Sequence, residues 1–125
     1  MDIASEIKRA VKAGHRSLDE FEGKSLLGQC GIPTVREACS ATADEAVAAA
    51  VDMGFPVVLK GLGRQLLHKS DQGLVHLRLS SEEAVLEAAA SIQASAGEHL
   101  DGFLVQQQIE GRREFVAGMY RDPQF

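Results

Sequence analysis

The sequence is poor in several residue types that mark specialised proteins. It has no tryptophan, and aromatic residues make up only 5% of its 125 residues, so aliphatic side chains must fill its core. A chain of this length suits one domain. It has 2 cysteines, Cys30 and Cys39, and their spacing matches no metal site. We therefore expect two free thiols in a reducing, cytoplasmic setting.

Long apolar runs and net positive charge are also missing. No apolar run reaches the ~18 residues that cross a membrane, and the N-terminus is too polar for a secretory signal. The formal charge of −5 argues against nucleic acid or an anionic membrane as the main partner. A small phosphate ligand is compatible with this charge, because it needs only a few local donors.

Helix start signals are the clearest feature that is present. The capping-box pattern, a hydroxyl residue three positions before a glutamate, occurs at Ser17 and Glu20, at Thr42 and Glu45, and at Ser80 and Glu83. Glycines follow at suitable distances, so the pattern predicts helices over about 18–30, 43–53 and 81–96. An earlier helix over about 3–13 has its apolar residues on one stripe.

Strand patterns fill the gaps between these helices. The runs FPVVLKGL, GLVHLRLS and GFLVQQQI predict strands, and a weaker strand is predicted over Thr34 to Ser40. EFVAGMY is predicted to return as the second strand of a hairpin, after a turn at 110–113. Because helices and strands interleave, the fold class is α/β or α+β, with helices layered on a sheet.

The sequence stops at RDPQF, a turn-like stretch directly after a predicted strand. We expect residues 1–125 to be a single domain that is part of a longer protein. Residues 1–14 are expected to form a helical extension at its N-terminus.

Lys60 and Glu114 are candidate site residues at strand ends. Lys60 ends the buried run PVVLK, and a rigid strand end would hold its ammonium over a phosphate. On the pattern alone, a lysine that snorkels to solvent is the simpler interpretation of Lys60. Glu114 begins EFVAGMY and is most simply a solvent-facing strand residue.

The loop LLHKSDQG holds the densest group of reactive side chains, with His68 and Asp71 among them. A nucleophilic imidazole needs one nitrogen oriented by a carboxylate while the other attacks, and Asp71 is the candidate carboxylate. Gly73 would let the backbone approach an anion, and together with Gly61 and Gly63 it would give the loop freedom to move. An incidental histidine in a solvated turn explains the composition equally well.

Three segments together resemble a known family. LDEFEGKSLLGQCGIPT, GFPVVLKGLGRQLLHKSDQG and FLVQQQIEGRREFVAGMYRDPQF are similar, in order and spacing, to the ATP-grasp part of the NDP-forming acyl-CoA synthetases. The likeness is greatest to the β subunits of ADP-forming acetate–CoA ligases and covers nearly the whole chain. It implies the N-terminal subdomain of an ATP-grasp nucleotide-binding domain, with helices packed on a small mixed sheet. It also implies an acid–CoA ligase that couples acyl-CoA cleavage to ATP formation through a phosphohistidine relay, with residues 1–125 inactive by themselves.

The resemblance assigns roles residue by residue. His68, beside Asp71, matches the relay histidine that carries a phosphoryl group to the nucleotide. Lys60 matches a lysine on the nucleotide phosphates, and Glu114 matches a carboxylate near the ribose and phosphates. The phosphate loop contains Gly73. The hinge whose backbone reads the adenine edge is matched by Val105, Gln106, Gln107 and Gln108.

The same resemblance implies ligands and partners. The nucleotide is ATP or ADP, and the Mg²⁺ that accompanies it takes its ligands from outside this chain. The partner is a CoA-binding domain or α subunit, which makes the complete enzyme a hetero-oligomer, and neither nucleic acid nor a membrane is expected to bind.

Two differences from the family leave alternatives open. The chain has Gly73-Leu74 where a Gly-Gly pair is common, and a leucine there would crowd a phosphate loop. It also has Gln107 where the hinge commonly carries a glutamate. These differences favour a degenerate, non-catalytic nucleotide-binding or regulatory module. A third interpretation is an interaction subunit that only scaffolds a CoA-binding partner.

Overall fold

The computed structural model of the protein describes residues 2–63, 65–66, 73–111 and 113–124. The helices in this part of the chain are α1 (Ile3–Lys12), α2 (Glu20–Gln29), α3 (Ala43–Met53) and α4 (Glu82–Ala96). The strands are β1 (Glu37–Ser40), β2 (Val57–Leu62), β3 (Val75–Leu79) and β4 (Gly102–Gln107), with a short 3₁₀ turn at Gly97–His99. Within the described ranges, no helix is both long and apolar enough to span a bilayer.

All four predicted helices are confirmed, but two of them begin differently from the prediction. The N-cap of α4 is Ser81, whose Oγ accepts the N–H of Ala84 at 3.1 Å, so the predicted capping box of Ser80 and Glu83 is wrong by one residue. The helix α2 differs more. Its N-cap is Asp19, whose Oδ1 accepts the backbone N–H of Glu22 at 2.8 Å, while Oε2 of Glu22 accepts the N–H of Asp19 at 3.0 Å. The predicted capping box of Ser17 and Glu20 is therefore wrong by two residues. An ionised aspartate suits the positive end of a helix better than a hydroxyl does. Consequently the side chain of Glu20 is not part of the capping box.

The described strands form one antiparallel sheet in the order β1-β4-β2-β3. This confirms an α/β fold with helices packed on a small sheet, and it corrects the expectation of a mixed sheet. Each of the units β1–α3–β2 and β3–α4–β4 is a strand–helix–strand crossover, which commonly yields parallel neighbours. Here β4 lies between β1 and β2, and β2 lies between β4 and β3. All hydrogen-bonded neighbours are therefore antiparallel.

One face of the sheet and the helices α3 and α4 enclose the hydrophobic core. Its largest fully buried side chains include Phe103, Leu59 and Ile92, and Leu74 also belongs to it with no exposed surface. Aliphatic residues thus supply most of the core, as the scarcity of aromatic residues predicts. The side chain of Leu74 lies in this core, and its effect on a phosphate loop stays a prediction.

The segment EFVAGMY is not a strand. Residues 113–124 have no regular secondary structure, and their large apolar side chains are at least 84% exposed at Phe115, Val116, Met119 and Tyr120. The predicted hairpin is therefore wrong. A strand needs a hydrogen-bonding neighbour and a covered apolar face, and in the described part of the chain this segment has neither.

The three glycines near the loop that contains His68, called the His68 loop, differ in their roles. A Cβ atom at Gly61 would lie 3.0 Å from Cγ2 of Ile92, and one at Gly63 would overlap the carbonyl oxygen of His99. Gly63 thus requires glycine for close packing, and Gly61 has little room for a side chain. The expectation that these two glycines give the loop freedom is wrong. Of the three glycines Gly61, Gly63 and Gly73, only Gly73, with φ of 69°, has a backbone conformation that favours glycine.

Gly63→Ala is expected to lower the free energy of unfolding by about 2–3 kcal/mol, because backbone cannot move aside as a flexible side chain can. Gly28→Ala is the matched control, since a Cβ there meets no atom within 4 Å and the site lies inside α2. The control is expected to be neutral or stabilising by about 0.5–1 kcal/mol. Urea denaturation of both variants measures the difference, and similar stabilities would contradict the packing argument.

Candidate functional site

The face of the sheet opposite α3 and α4 carries polar side chains. Glu37 of β1 lies opposite Gln106 of β4 in the strand register, and Gln106 also lies opposite Val58 of β2. Lys60 is two residues along β2 from Val58 and is therefore a diagonal neighbour of Gln106. Because side chains alternate between faces, Glu37, Lys60 and Gln106 share this second face.

Two residues of α2 join these three to form a polar cluster, here called the Glu20 cluster, whose members are Glu20, Lys24, Glu37, Lys60 and Gln106. Nζ of Lys60 lies 2.9 Å from Oε2 and 3.2 Å from Oε1 of Glu20. Nε2 of Gln106 donates to Oε2 of Glu20 at 2.7 Å and to Oε2 of Glu37 at 2.8 Å. Nζ of Lys24 lies 3.1 Å from Glu20 and 3.3 Å from Glu37. The two carboxylates and two ammonium groups balance in charge.

Burial and charge act in opposite directions on Glu20. Its side chain is 26% exposed and that of Lys60 is 19% exposed. Burial alone would raise the pKa of Glu20, but the hydrogen bond and charge of Lys60, with those of Lys24, outweigh it and lower the pKa to about 2. Glu20 is therefore ionised at neutral pH, and its ion pair with Lys60 persists there.

Lys60 faces a carboxylate of its own chain. Lys60 therefore meets a structural carboxylate and is not a lysine that simply snorkels to solvent. The contact of its ammonium with a nucleotide phosphate stays a prediction. An ammonium has three N–H donors. Both contacts of Nζ are to the one carboxylate of Glu20, which leaves a donor for a second acceptor.

The predicted hinge, 105–108, lies at the end of β4. The side chain of Val105 is buried in the core, and its backbone lies between β1 and β2. The N–H groups of Gln107 and Gln108 donate to backbone carbonyl oxygens at 2.9 and 3.4 Å. Only Gln106 sends its side chain into the Glu20 cluster. The backbone donors of Gln107 and Gln108 therefore already have partners within the chain.

The structure describes only some of the remaining predicted site residues. His68 and Asp71 lie outside the described residues. Glu114 is exposed in the segment without regular structure. The ends of the His68 loop are nevertheless placed, because the N–H of Gly61 donates to the carbonyl oxygen of Leu74 at 2.9 Å. The loop thus leaves and rejoins the sheet immediately next to Lys60.

A surface cavity of about 300 Å³ opens at the N-terminal end of α2. Its lining comprises Asp19, Cys39, Ser40, Ala41, Leu62, Asp101 and Gly102. Burial, and then the carboxylates of Asp19, Glu37 and Glu22, raise the pKa of the Cys39 thiol to about 11. The thiol therefore stays protonated at neutral pH and is a poor nucleophile. Both cysteines are free thiols, as predicted.

Three members of the Glu20 cluster were missed in the sequence: Glu20, Lys24 and Glu37. The spacing of Glu20 and Lys24 is the i,i+4 spacing of a helical ion pair, which could have marked the helix face that carries them. No short-range sequence pattern links this helix face to Glu37 or to Lys60. Only the sheet register and the position of α2 bring the five residues together.

Known proteins resemble this chain over most of its length. The family model described as ATP-grasp domain matches residues 9–125. The chain is 35% identical over 127 aligned positions to the β subunit of acetate–CoA ligase [ADP-forming] I from Pyrococcus furiosus, covering 98% of this chain and 55% of that protein. The chain spans about half the length of the curated relatives of this kind that it matches.

Solved structures of a "Ca. Korarchaeum cryptofilum" enzyme are also similar. It is a dinucleotide forming acetyl-coenzyme A synthetase 1. One of these structures contains coenzyme A, acetyl-coenzyme A and a phosphorylated phosphohistidine segment. It matches with a TM-score of 0.83 at 31% identity, and the match covers 99% of this chain and 55% of the enzyme chain. A second, with coenzyme A and Mg-AMPPCP, has its phosphohistidine segment pointing towards the nucleotide-binding site. It matches with a TM-score of 0.71 at 34% identity, and the match covers 88% of this chain and 46% of the enzyme chain.

The pKa of Glu20 predicts an acid-dependent loss of stability. The pKa is about 2 in the folded chain and ordinarily 4.5, so the stabilisation is fully present above pH 4.5 and is lost as the pH falls towards 2. Glu20→Gln is expected to cost about 1–2 kcal/mol at pH 7 and less than half of that at pH 3. Urea denaturation at both pH values measures this. Gln in place of the exposed Glu87 is the control, and an equal cost of Glu20→Gln at both pH values would contradict the ion pair.

Proposed function

Because the chain belongs to the ATP-grasp domain family, we propose that it is the N-terminal part of the nucleotide-binding domain of an ADP-forming acid–CoA ligase. The names of its relatives, ADP-forming ligases acting with coenzyme A, support this activity. The observation that carries the proposal is the position of Lys60. Its ammonium retains a donor for a phosphate, and the loop that contains His68 begins beside it.

The proposed reaction exchanges an acyl-CoA thioester and phosphate, with ADP, for the free acid, coenzyme A and ATP. Phosphate first displaces coenzyme A from the thioester to give an acyl phosphate. A histidine on a CoA-binding partner, either a domain or an α subunit, then forms a P–N bond to its phosphorus while the P–O bond to the carboxylate breaks and the free acid leaves. The relative whose phosphohistidine segment points towards the nucleotide-binding site supports a carrier that travels to the nucleotide. All of these components are expected in the cytoplasm.

His68 is proposed to take the phosphoryl group from the carrier. Its imidazole nitrogen forms a P–N bond while the P–N bond to the carrier histidine breaks, and the electron pair of the broken bond stays on the carrier nitrogen. An oxygen of the terminal phosphate of ADP then forms a P–O bond to the same phosphorus. The P–N bond to His68 breaks, its electron pair returns to the imidazole, and ATP is formed. Asp71 is proposed to orient the second nitrogen of His68.

The other site residues are proposed to hold the nucleotide. Lys60 binds a phosphate oxygen, and Gly73 permits a close approach of the backbone to the phosphates. Residues 105–108 remain the proposed hinge at the adenine, and Glu114 the proposed carboxylate near the ribose. Because the N–H groups of Gln107 and Gln108 are already used, any backbone donor to the base must come from a neighbouring residue of the chain.

Mg²⁺, when bound, neutralises the negative charge of the reacting phosphates. In the described ranges, no group of three or more His, Cys, Asp or Glu residues could hold a metal ion. The described residues therefore do not form a complete magnesium site, and we propose that the ligands lie outside residues 1–125. By itself this part of the protein is proposed to bind nucleotide without turnover.

His68→Asn tests the relay in the full-length protein combined with its CoA-binding partner. With acetyl-CoA, ADP and radiolabelled phosphate, the variant is expected to leave labelling of the partner intact and to lower ATP formation by about 1,000-fold or more. The reason is that asparagine cannot form the phosphoramidate that passes the group on. The location of the label by subunit, under acid-free conditions, is the measurement.

The matched control is His76→Asn, because His76 lies in β3, directly after the same loop, with Nε2 3.2 Å from the carbonyl oxygen of Gly73. It is expected to keep ATP formation within about threefold, as a residue without a phosphoryl role should. The relay is refuted if His68→Asn forms ATP at the native rate, or if the native chain never carries label while ATP is made.

A further inference from the structure

The ion pair beneath α2 also bears on how the proposed phosphate ligand is held. We infer that Glu20 is a positioning residue for the nucleotide, which fixes the ammonium of Lys60 in the orientation that meets a phosphate. The inference rests on the proposed function, because it concerns the same phosphate contact. It adds a residue of α2, 40 positions from Lys60 in sequence, to a site otherwise built on the sheet.

The geometry favours positioning. A lysine side chain is a flexible stem that does not orient its own ammonium. Both oxygens of Glu20 contact Nζ of Lys60, at 2.9 and 3.2 Å, and this paired contact fixes the ammonium. Glu20 is fixed in turn by Nε2 of Gln106 at 2.7 Å and Nζ of Lys24 at 3.1 Å. The ammonium is therefore held from two rigid elements, α2 and the sheet.

The charges around Glu20 determine whether it positions the ammonium of Lys60 or competes with a phosphate for it. A carboxylate that paired with Lys60 alone would neutralise it and compete with a phosphate for it. Glu20 instead also accepts from Lys24 and Gln106, so its negative charge is shared among several donors. Lys60 consequently keeps positive character towards a second acceptor, while its orientation is set by the first.

The structure of α2 explains why Glu20 can serve this role. The capping box is made by the side chains of Asp19 and Glu22, so the side chain of Glu20, which lies between them, is not needed for capping and contacts the sheet. None of the residues of α2 is fully buried, so the Glu20 cluster is a principal tie between this helix and the sheet. A purely structural role, docking of α2, is the competing explanation that the experiment must separate.

A double-mutant cycle on ATP binding makes that separation. Full-length protein is prepared with Glu20→Gln, with Lys60→Met and with both, and the Kd for Mg-ATP and the free energy of unfolding are measured for each. Lys60→Met and Glu20→Gln are each expected to weaken ATP binding about tenfold. The double variant is expected to bind no more weakly than Lys60→Met, because Glu20 acts through Lys60.

The matched control is Glu37→Gln. Glu37 contacts Lys24 and Gln106 but makes no contact with Lys60, so this variant perturbs the same cluster without releasing the ammonium. It is expected to lose a similar amount of stability and to keep the Kd within about twofold. If Glu20→Gln does not fold, Glu20→Asp supplies the test, because it keeps the charge and withdraws it by one methylene, with an intermediate loss of affinity expected.

Three outcomes overturn the inference. If Glu20→Gln binds ATP as tightly as the native protein or more tightly, Glu20 does not position Lys60. If the double variant loses the product of the two single effects, Glu20 acts on stability through α2 and not through Lys60. If native protein binds ATP and Lys60→Met binds it equally well, the proposed phosphate contact fails and the inference fails with it, whereas the first two outcomes leave the proposed function standing.

Discussion

The ion pair between Lys60 of β2 and Glu20 of α2 determines how the second face of the sheet is used. On the first face, α3 and α4 are held by burial of aliphatic side chains. On the second face, α2 has no fully buried residue, so ion pairs and hydrogen bonds, rather than hydrophobic burial, must hold this helix on the sheet. The desolvation of two partly buried charges is offset only because each carboxylate of the Glu20 cluster accepts from more than one donor.

The division of the sheet into an apolar face and a polar face makes the proposed site rigid and sets its position. The apolar face sets the register of β2 and β4, and that register brings Lys60 and Gln106 next to each other. The hydrogen bond between Gly61 and Leu74 then brings both ends of the His68 loop to the same place. Lys60 and the two ends of the loop that contains His68 thus lie next to each other.

Local patterns predicted the local structure well. Capping residues, terminal glycines and β-branched runs are interactions within a few residues, and they identified every helix and strand of the described fold. The failures depend on distant residues. EFVAGMY has strand propensity, yet no described strand pairs with it. Gly61 and Gly63 resemble loop glycines until Ile92 and the backbone of His99 are seen against them. The contact of Gln106 with Glu20 spans 86 residues, so no sequence window contains both.

The most direct test of this account is a crystal structure of the full-length protein with Mg²⁺ and a non-hydrolysable ATP analogue. The account predicts that Nζ of Lys60 lies within hydrogen-bond distance of a phosphate oxygen while it keeps its contact with the carboxylate of Glu20. Nucleotide bound elsewhere, with Lys60 paired to Glu20 alone, would contradict the proposed site. Nucleotide bound at Lys60 with the contact to Glu20 broken would contradict the positioning role.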